Sequence, residues 1–599
     1  MNYSKRKKDI SRRHFLGMAA GTAGAAVLGT SAMSGWAQNP DALKTTVLSE
    51  SEYETDVLVI GGGMAGLFAA VKAHDAGANV MMVSKGRLGS SGQTPFAKGI
   101  FAYDKENEDM SLDAFVEQVS ASALGTNNAV YTRQMAEHSL ARVQELREWG
   151  FFDSPLYNKS FSKPITERNI PLVERVTITH LIKENGKIAG AAGFSIDDKK
   201  VHFFKANSVI LCTGAGGFKP NGFPICDLTH DGTIMAYNIG AKVTGKEWND
   251  GHPGQATNAA ACFDGWHGMF ERKPGVTGTG IRHDLGVDIN YKAYKGGNPV
   301  SMGGPGAGGS SNIVGGPFVP EMFKRGAHPS GGEGPRGEGR QRPEGERRGP
   351  RKSGGGPEEG GAPPGMGGTS VGGSSAGMAI HKSEGLVPIN EKCESNIPGL
   401  YAAGDALGSY MAGAIYTQIG SSLAGSAVQG AIAAEAAAKY AKGLDRPVIS
   451  QTKMDEIQDE ILAPLKRESG YSPAWVTQTL QGIMIPNFII YVKKENLMRA
   501  ALAYIEELRD HHMPMLKAAD MHELRLVHET RNMIISAEMK LKASIMRTES
   551  RCSHYRLDYP ELDNENWQAW INIFKGEDGT MQFEKQPFGT WPTNNKSSI

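Results

Sequence analysis

ETDVLVIGGGMAG, residues 54–66, decides the fold. An apolar, β-branched run from Glu54 to Ile60 stops at a glycine cluster, as a buried strand does before a tight turn. Leu67 to Ala73 is a good helix former, and Ala78 to Val83 reads as a second strand. Strand, glycine turn, helix and strand in this order make a βαβ dinucleotide-binding unit. Gly61 permits the turn, Gly63 lets backbone approach a pyrophosphate, and Gly66 lets the helix pack close. Met64 and Ala65 open that helix, where free N–H groups face the phosphates. The acid that would hold an NAD ribose after the second strand is missing, and Ser84-Lys85 stands there instead.

Further along, Glu174 to Gly217 reads as a β-meander. Strands at 175–182 and 188–194 flank a turn at 184–187, and Val201–Phe204 and Ser208–Leu211 follow, ending at Thr213-Gly214. This suits the second half of a large nucleotide-binding domain. A helix is predicted from Thr233 to Gly240. Residues 296–377 are dominated by glycine, proline and mixed charge, with too few apolar side chains to offset ordering entropy, and are expected to form a largely mobile loop. Helical pattern returns at 427–440 and 453–545, and the chain closes on a short β-like ending.

With 599 residues the chain exceeds one compact core. Lys+Arg and Asp+Glu both total 64, so no net charge draws it to nucleic acid. Mean hydropathy is −0.35, and past the N-terminal segment no apolar run is long enough to cross a bilayer, so the mature chain is expected to be soluble. Residues 1–37 read as a twin-arginine export signal: Ser11-Arg12-Arg13-His14-Phe15-Leu16, a weakly apolar run, and small residues before Gln38. That signal predicts a periplasmic location. The five cysteines are scattered without CxxC or CxxCH, so no iron–sulfur cluster, zinc site or c-type haem is expected in this chain.

Several motifs, in order, resemble the flavoprotein subunits of succinate dehydrogenase and fumarate reductase, a superfamily that includes adenylylsulfate reductase and soluble periplasmic fumarate-reductase-like enzymes. Thr229-His-Asp231-Gly232 resembles T-G-D-G, and Gly251-His252-Pro253 resembles F-H-P-T. Asn390-Glu-Lys with Ile397-Pro-Gly-Leu-Tyr-Ala-Ala-Gly404-Asp405 resembles N-E-K…P-G-L-F-A-x-G-E. Arg547-Thr-Glu-Ser-Arg551, His554 and Asp563-Asn-Glu-Asn-Trp567 resemble R-T-E-S-R-G-A-H and D-D-E-N-W. The resemblance implies an α/β, Rossmann-like FAD-binding domain from segments 54–255 and 383–445. It also implies a reduced or replaced cap at 256–382 and a C-terminal helical domain at 450–599. FAD contacts are implied at Gly61, Gly63, Met64, Ala65, Gly66, Ser84, Lys85, Gln93, Thr94, Gly214, Asp231, Asp405, Ser422 and Leu423. Arg551 and His554 read first as structural or cofactor-proximal.

The departures carry information. Ser91-Gly92-Gln93-Thr94 stands where covalent members have S-H-T, and a glutamine cannot make the histidyl–flavin bond, so FAD is expected to be non-covalent. The G-A-N-R-L-G-G-N-S-L motif aligns with Gly413-Ala-Ile-Tyr416-Thr-Gln-Ile-Gly-Ser-Ser-Leu423 with one extra residue. Tyr416, or Thr417 when read from the other end, replaces the arginine that holds a substrate carboxylate. Thr369-Ser370-Val371 lacks the histidine expected before Gly372-Gly373, and Arg336-Gly-Glu-Gly imitates R-G-E-G only inside the low-complexity segment. A dicarboxylate needs charge-assisted, bidentate donors, so ordinary fumarate is not the expected substrate. Proton-handling candidates are Tyr416, His252 and His381. The chain reads as an exported FAD-dependent oxidoreductase reducing an activated C=C bond of an organic acid or neutral enone. Its electron partner is expected to be a separate cytochrome, iron–sulfur subunit or quinol oxidase. A dehydrogenase, or an electron-transfer subunit needing a partner chain, are the other readings.

Overall fold

The computed structural model describes residues 50–218, 228–255, 271–281, 370–378, 383–415, 417–418, 420–485, 487–490 and 492–590. Strand β1 (Glu50–Ile60) starts earlier than its apolar run, because its polar first half pairs along one side with the last strand of the meander while alternate residues face outward. Its last residues, Val57–Ile60, are flanked on both sides and fully interior. Helix α1 (Met64–Asp75) follows, then β2 (Val80–Ser84), parallel to β1. Strands β3 (Leu172–Glu174), β4 (Val176–Glu184), β5 (Lys187–Ser195) and β6 (Val201–Leu211) complete the main path, in spatial order β3-β2-β1-β6-β5-β4.

The two pieces expected at 201–204 and 208–211 are one continuous strand. The polar residues between them are satisfied in place: Lys205 pairs with Glu52 across the sheet at 2.6 Å, and Asn207 donates to the Asp445 carbonyl at 2.7 Å. Helix α2 (Asp231–Asn238) starts two residues before its expected onset, after His230 turns the chain at φ 61°.

A short strand β7 (Val243–Thr244) comes next, then β8 (Asp250–Gln255) and β9 (Ser370–Met378), which pair antiparallel. The expected mobile segment therefore ends in a strand. Glycine-rich as that strand is, backbone pairing to β8 supplies its order. Residues 282–369 and the N-terminal residues read as an export signal lie outside the described residues.

Strand β10 (Gly385–Leu386) and β11 (Leu400–Ala402) bring the chain back to the sheet, β11 lying parallel to the far end of β6. Helix α3 (Ser421–Ala441) is rich in alanine for a geometric reason: it crosses α1 so closely that a Cβ on Gly430 would sit 2.4 Å from the Ala65 carbonyl oxygen. The C-terminal part contributes α4 (Gln451–Lys466), α5 (Pro473–Met484), α6 (Glu495–Glu507) and α7 (Met521–Met546).

The β-like ending is no appendage to that helical region. Strands β12 (Ala569–Lys575) and β13 (Met581–Pro587) form one sheet with β7 and β10, in order β10-β7-β12-β13, so the terminus is woven into the first half of the chain.

Candidate active site and cofactor groove

The end of β1, the start of α1 and the end of β6 meet in a groove, at the strand ends where α/β folds bind cofactors. Its floor is glycine by necessity. A Cβ on Gly61 (φ 125°) would lie 2.1 Å from the Cys212 carbonyl oxygen, and one on Gly66 would lie 1.9 Å from the Gly61 oxygen. Helix α1 begins at the groove with no side-chain cap from Gly63, and Met64 N–H donates to Thr94 Oγ1 at 3.2 Å. Such an end offers backbone donors and a partial positive charge to an anion. On the opposite wall Gly214 (φ 72°) faces open space, and Thr213 Oγ1 is buried with no partner among the described residues. The cradle fits a dinucleotide pyrophosphate.

Of the predicted FAD contacts, Gly61, Gly63, Met64, Ala65, Ser84, Lys85, Gln93, Thr94, Gly214, Asp231 and Asp405 all line this groove. Gly66 lies one layer behind, where it closes the α1–β1 packing. Ser422 and Leu423 do not line it: they start α3, and Leu423 is a core residue. Val176, Ile178, Cys212 and Met235 line it without having been anticipated. The alternation of Val176 and Ile178 on one face of a strand is the signal that could have found two of them.

Lys85 is the one cation among the described lining residues. Its ammonium donates to Thr229 Oγ1 (2.9 Å) and Asp231 Oδ2 (2.8 Å) and pairs with Glu529 Oε1 (2.7 Å). With Lys85 turned to these acceptors, the backbone amides at the α1 end are the donors suited to a phosphate. Burial opposes the charge on Asp231, but Lys85, Asn532 and Thr229 outweigh it and hold the carboxyl below its ordinary range. Gln93 reaches toward Asp405 (Nε2 to Oδ2, 3.5 Å).

Two family models match: the FAD binding domain over residues 56–160 and the fumarate reductase flavoprotein C-terminal region over 477–596. Over these stretches the chain is similar to flavoproteins of the fumarate reductase and succinate dehydrogenase type. FAD is its cofactor, and it is an FAD-dependent oxidoreductase. A subunit of the fumarate reductase (CoM/CoB) of Methanothermobacter marburgensis is 25% identical, the match covering 87% of this chain and 97% of the relative. An uncharacterized FAD-dependent oxidoreductase of Methanocaldococcus jannaschii is also 25% identical, over 90% and 99%. Among solved structures, Mycobacterium smegmatis Sdh1 superposes with a TM-score of 0.67 at 21% identity, over 90% of this chain and 95% of that one. Adenylylsulfate reductase of Archaeoglobus fulgidus gives 0.63 at 19%, over 90% and 97%. At these identities the superpositions speak for the fold alone.

The sequence places the substrate side of this flavoprotein at the loop before α3. Thr417 is buried and turns its hydroxyl back to the Ala412 carbonyl (2.9 Å), while Gln418 Nε2 donates to the Gly278 carbonyl (3.1 Å). Ala414 and Ile415 pack with Trp248, Tyr410 and Trp570. Tyr416 and His381 lie outside the described residues. His252 sits on β8, in register with Ser375 of β9.

Arg551 and His554 are structural in this flavoprotein. Arg551 grips both oxygens of Glu549 (2.8 and 3.0 Å) and the Leu124 carbonyl (3.1 Å). His554 Nε2 faces the Arg547 carbonyl at 3.2 Å, which accepts only, so that nitrogen carries the proton and Nδ1 accepts from Lys493 (2.7 Å). Burial, with Lys493, Arg547 and Arg556 around it, keeps the imidazole neutral by lowering its pKa well below the usual value. Arg547 bridges Glu247 (2.9 Å) and Glu549 (2.8 Å) from 300 residues away in sequence in the first case. Among the described residues no helix is long and apolar enough to cross a membrane.

Proposed function

We propose that this flavoprotein is exported by the twin-arginine route and reduces an activated C=C bond by hydride transfer from the flavin, on a substrate other than an ordinary C4 dicarboxylate. The observation that carries the reading is the loop Tyr410–Ser426, which contains no Arg, Lys or His. Thr417, one of the two residues aligned with the substrate-binding arginine, commits its hydroxyl to a main-chain carbonyl. A carboxylate set against such a surface forgoes charge-assisted hydrogen bonds of about 1.5–3 kcal/mol each. A neutral or aromatic acceptor loses nothing there. Bound FAD supplies the hydride. This chain's residues hold it on the α1 amides, and Tyr416, His252 or His381 hands a proton to the other carbon.

The electrons come from a separate protein: a cytochrome, an iron–sulfur subunit or a quinol oxidase. Support for a partner comes from relatives, such as the methanogen enzyme, that are themselves named as subunits. The direction is tested anaerobically. Chemically reduced protein is mixed with unsaturated acceptors, and oxidised protein with the corresponding saturated compounds. Reoxidation in the first mixture supports a reductase. Bleaching of the flavin in the second, with no reaction in the first, makes it a dehydrogenase.

The cofactor is held without a covalent bond, because position 93 is glutamine. Acid precipitation of the purified protein is expected to release all its flavin into the supernatant. Flavin that stays with the pellet would refute this.

A further inference from the structure

Helix α7 belongs to the C-terminal half of the chain, yet two of its residues, Glu529 and Asn532, reach two of the charged residues of the groove, Lys85 and Asp231. Asn532 Nδ2 donates to Asp231 Oδ1 at 2.9 Å, and Glu529 Oε1 receives Lys85 Nζ at 2.7 Å. They lie three positions apart, hence on one face of the helix. Arg525, one turn earlier, pairs with the same Glu529 oxygen at 2.7 Å. Two cations, Lys85 and Arg525, thus meet two carboxylates, Asp231 and Glu529, in a neutral quartet. Asp231 is also fixed by Thr229 Oγ1 at 3.0 Å. Neither Glu529 nor Asn532 lines the groove; Lys85 and Asp231 do.

We infer that Asn532, supported by Glu529 beside it, is a positioning residue for FAD: from the C-terminal half of the chain it fixes the Asp231 carboxylate in the wall of the cofactor groove. Asp231 is the first residue of α2, directly after His230 in a left-handed turn (φ 61°). Its Oδ2 is shared by Lys85 and Thr229, while Asn532 is the donor that holds Oδ1. Without Asn532 only Oδ2 is still held, by Lys85 and Thr229, and the groove wall that meets FAD loses the contact that fixes Oδ1. The C-terminal half thereby contributes to cofactor affinity without touching the cofactor.

The test is FAD affinity of the full-length chain, measured by fluorescence on reloading after the flavin has been stripped, beside thermal melting of the FAD-free chain. Asn532→Ala is expected to raise the FAD Kd ~10-fold, the worth of one hydrogen bond to a charged group, with melting of the FAD-free chain little changed. In an Asp231→Asn background the same substitution should add less than ~2-fold, since it acts through that carboxylate. Arg499→Ala, which breaks an exposed pair with Glu495 (2.8 Å) in the same helical region, should leave the Kd unchanged. An unchanged Kd in Asn532→Ala, or an equal effect in both backgrounds, would overturn the inference and leave Asn532 as a packing contact between the two halves. A lowered melting temperature with unchanged Kd would overturn it equally. In every case the parent chain still binds FAD, so the cofactor assignment is tested separately.

Discussion

Gly61→Ala is expected to yield protein without flavin. The methyl group would sit 2.1 Å from the Cys212 carbonyl oxygen, backbone that cannot swing aside, at a φ of 125° that L-residues rarely adopt. To relieve the clash β1 must separate from the end of β6, and those two strands are the floor of the cofactor groove. Gly77→Ala supplies the control. Gly77 also has positive φ (88°), but nothing lies within 4 Å of a Cβ there, so only the backbone term of about 1–2 kcal/mol applies and flavin is retained. The ratio of visible flavin absorbance to protein absorbance reads both variants. A flavin-loaded Gly61→Ala chain would mean that the cofactor sits elsewhere.

Glu384→Gln is expected to cost the fold more than any other single charge removal. Its carboxylate is buried and faces Lys246, Lys540 (2.7 Å) and His230 (3.0 Å), all buried as well. Neutralising it leaves two buried ammonium groups without their counter-ion, at a cost of about 3–5 kcal/mol. Thermal melting in neutral buffer should show a fall of many degrees. The pH dependence has a defined sign. Burial works against ionisation of Glu384, but Lys246, Lys540 and His230 overcome it and hold its pKa well below the ordinary carboxylate value. His230 is lowered to about 4, first by burial. Both folded pKa values lie below their unfolded ones, so both contributions are present at neutral pH and are lost on acidification. For His230 the loss runs from about 6.5, its ordinary value, down to about 4. In the parent chain stability should fall steadily across that window. The share of Glu384 is lost lower, below the ordinary carboxylate value of 4.5, and that part of the slope should be absent in Glu384→Gln.

The βαβ unit was readable because its evidence is local: a β-branched run, glycines at fixed offsets and a helix former follow one another in the chain. Asp231 and Asp405 were found through motifs that keep their spacing even where a neighbour has changed, as at His230. What could not be read is non-local. Nothing near Trp570 says that β12 will pair with Val243 and Thr244, more than 300 residues earlier. The partners of buried Arg547 and Glu384 come from distant segments, so a linear reading shows charges and not a neutralised cluster. Lys85 was read as a cofactor contact on its place after β2. Its carboxylate partner Glu529 lies on a helix whose sequence pattern showed only that it was amphipathic. Ser422 and Leu423 do not line the groove: a small-residue run before a helix suits a cofactor loop and close helix packing equally well, and Leu423 is buried in the core.

The proposed enzyme keeps its flavin site beside a substrate site rebuilt without the carboxylate-binding cation. This arrangement is tested most directly by reducing the FAD-loaded protein anaerobically with viologen and following flavin reoxidation on adding fumarate, urocanate, cinnamates or simple enones. Reoxidation by the neutral or aromatic acceptors, with fumarate inert, is the result expected. Rapid reoxidation by fumarate would contradict the account and place a cation at the site that the loop from Tyr410 to Ser426 does not supply.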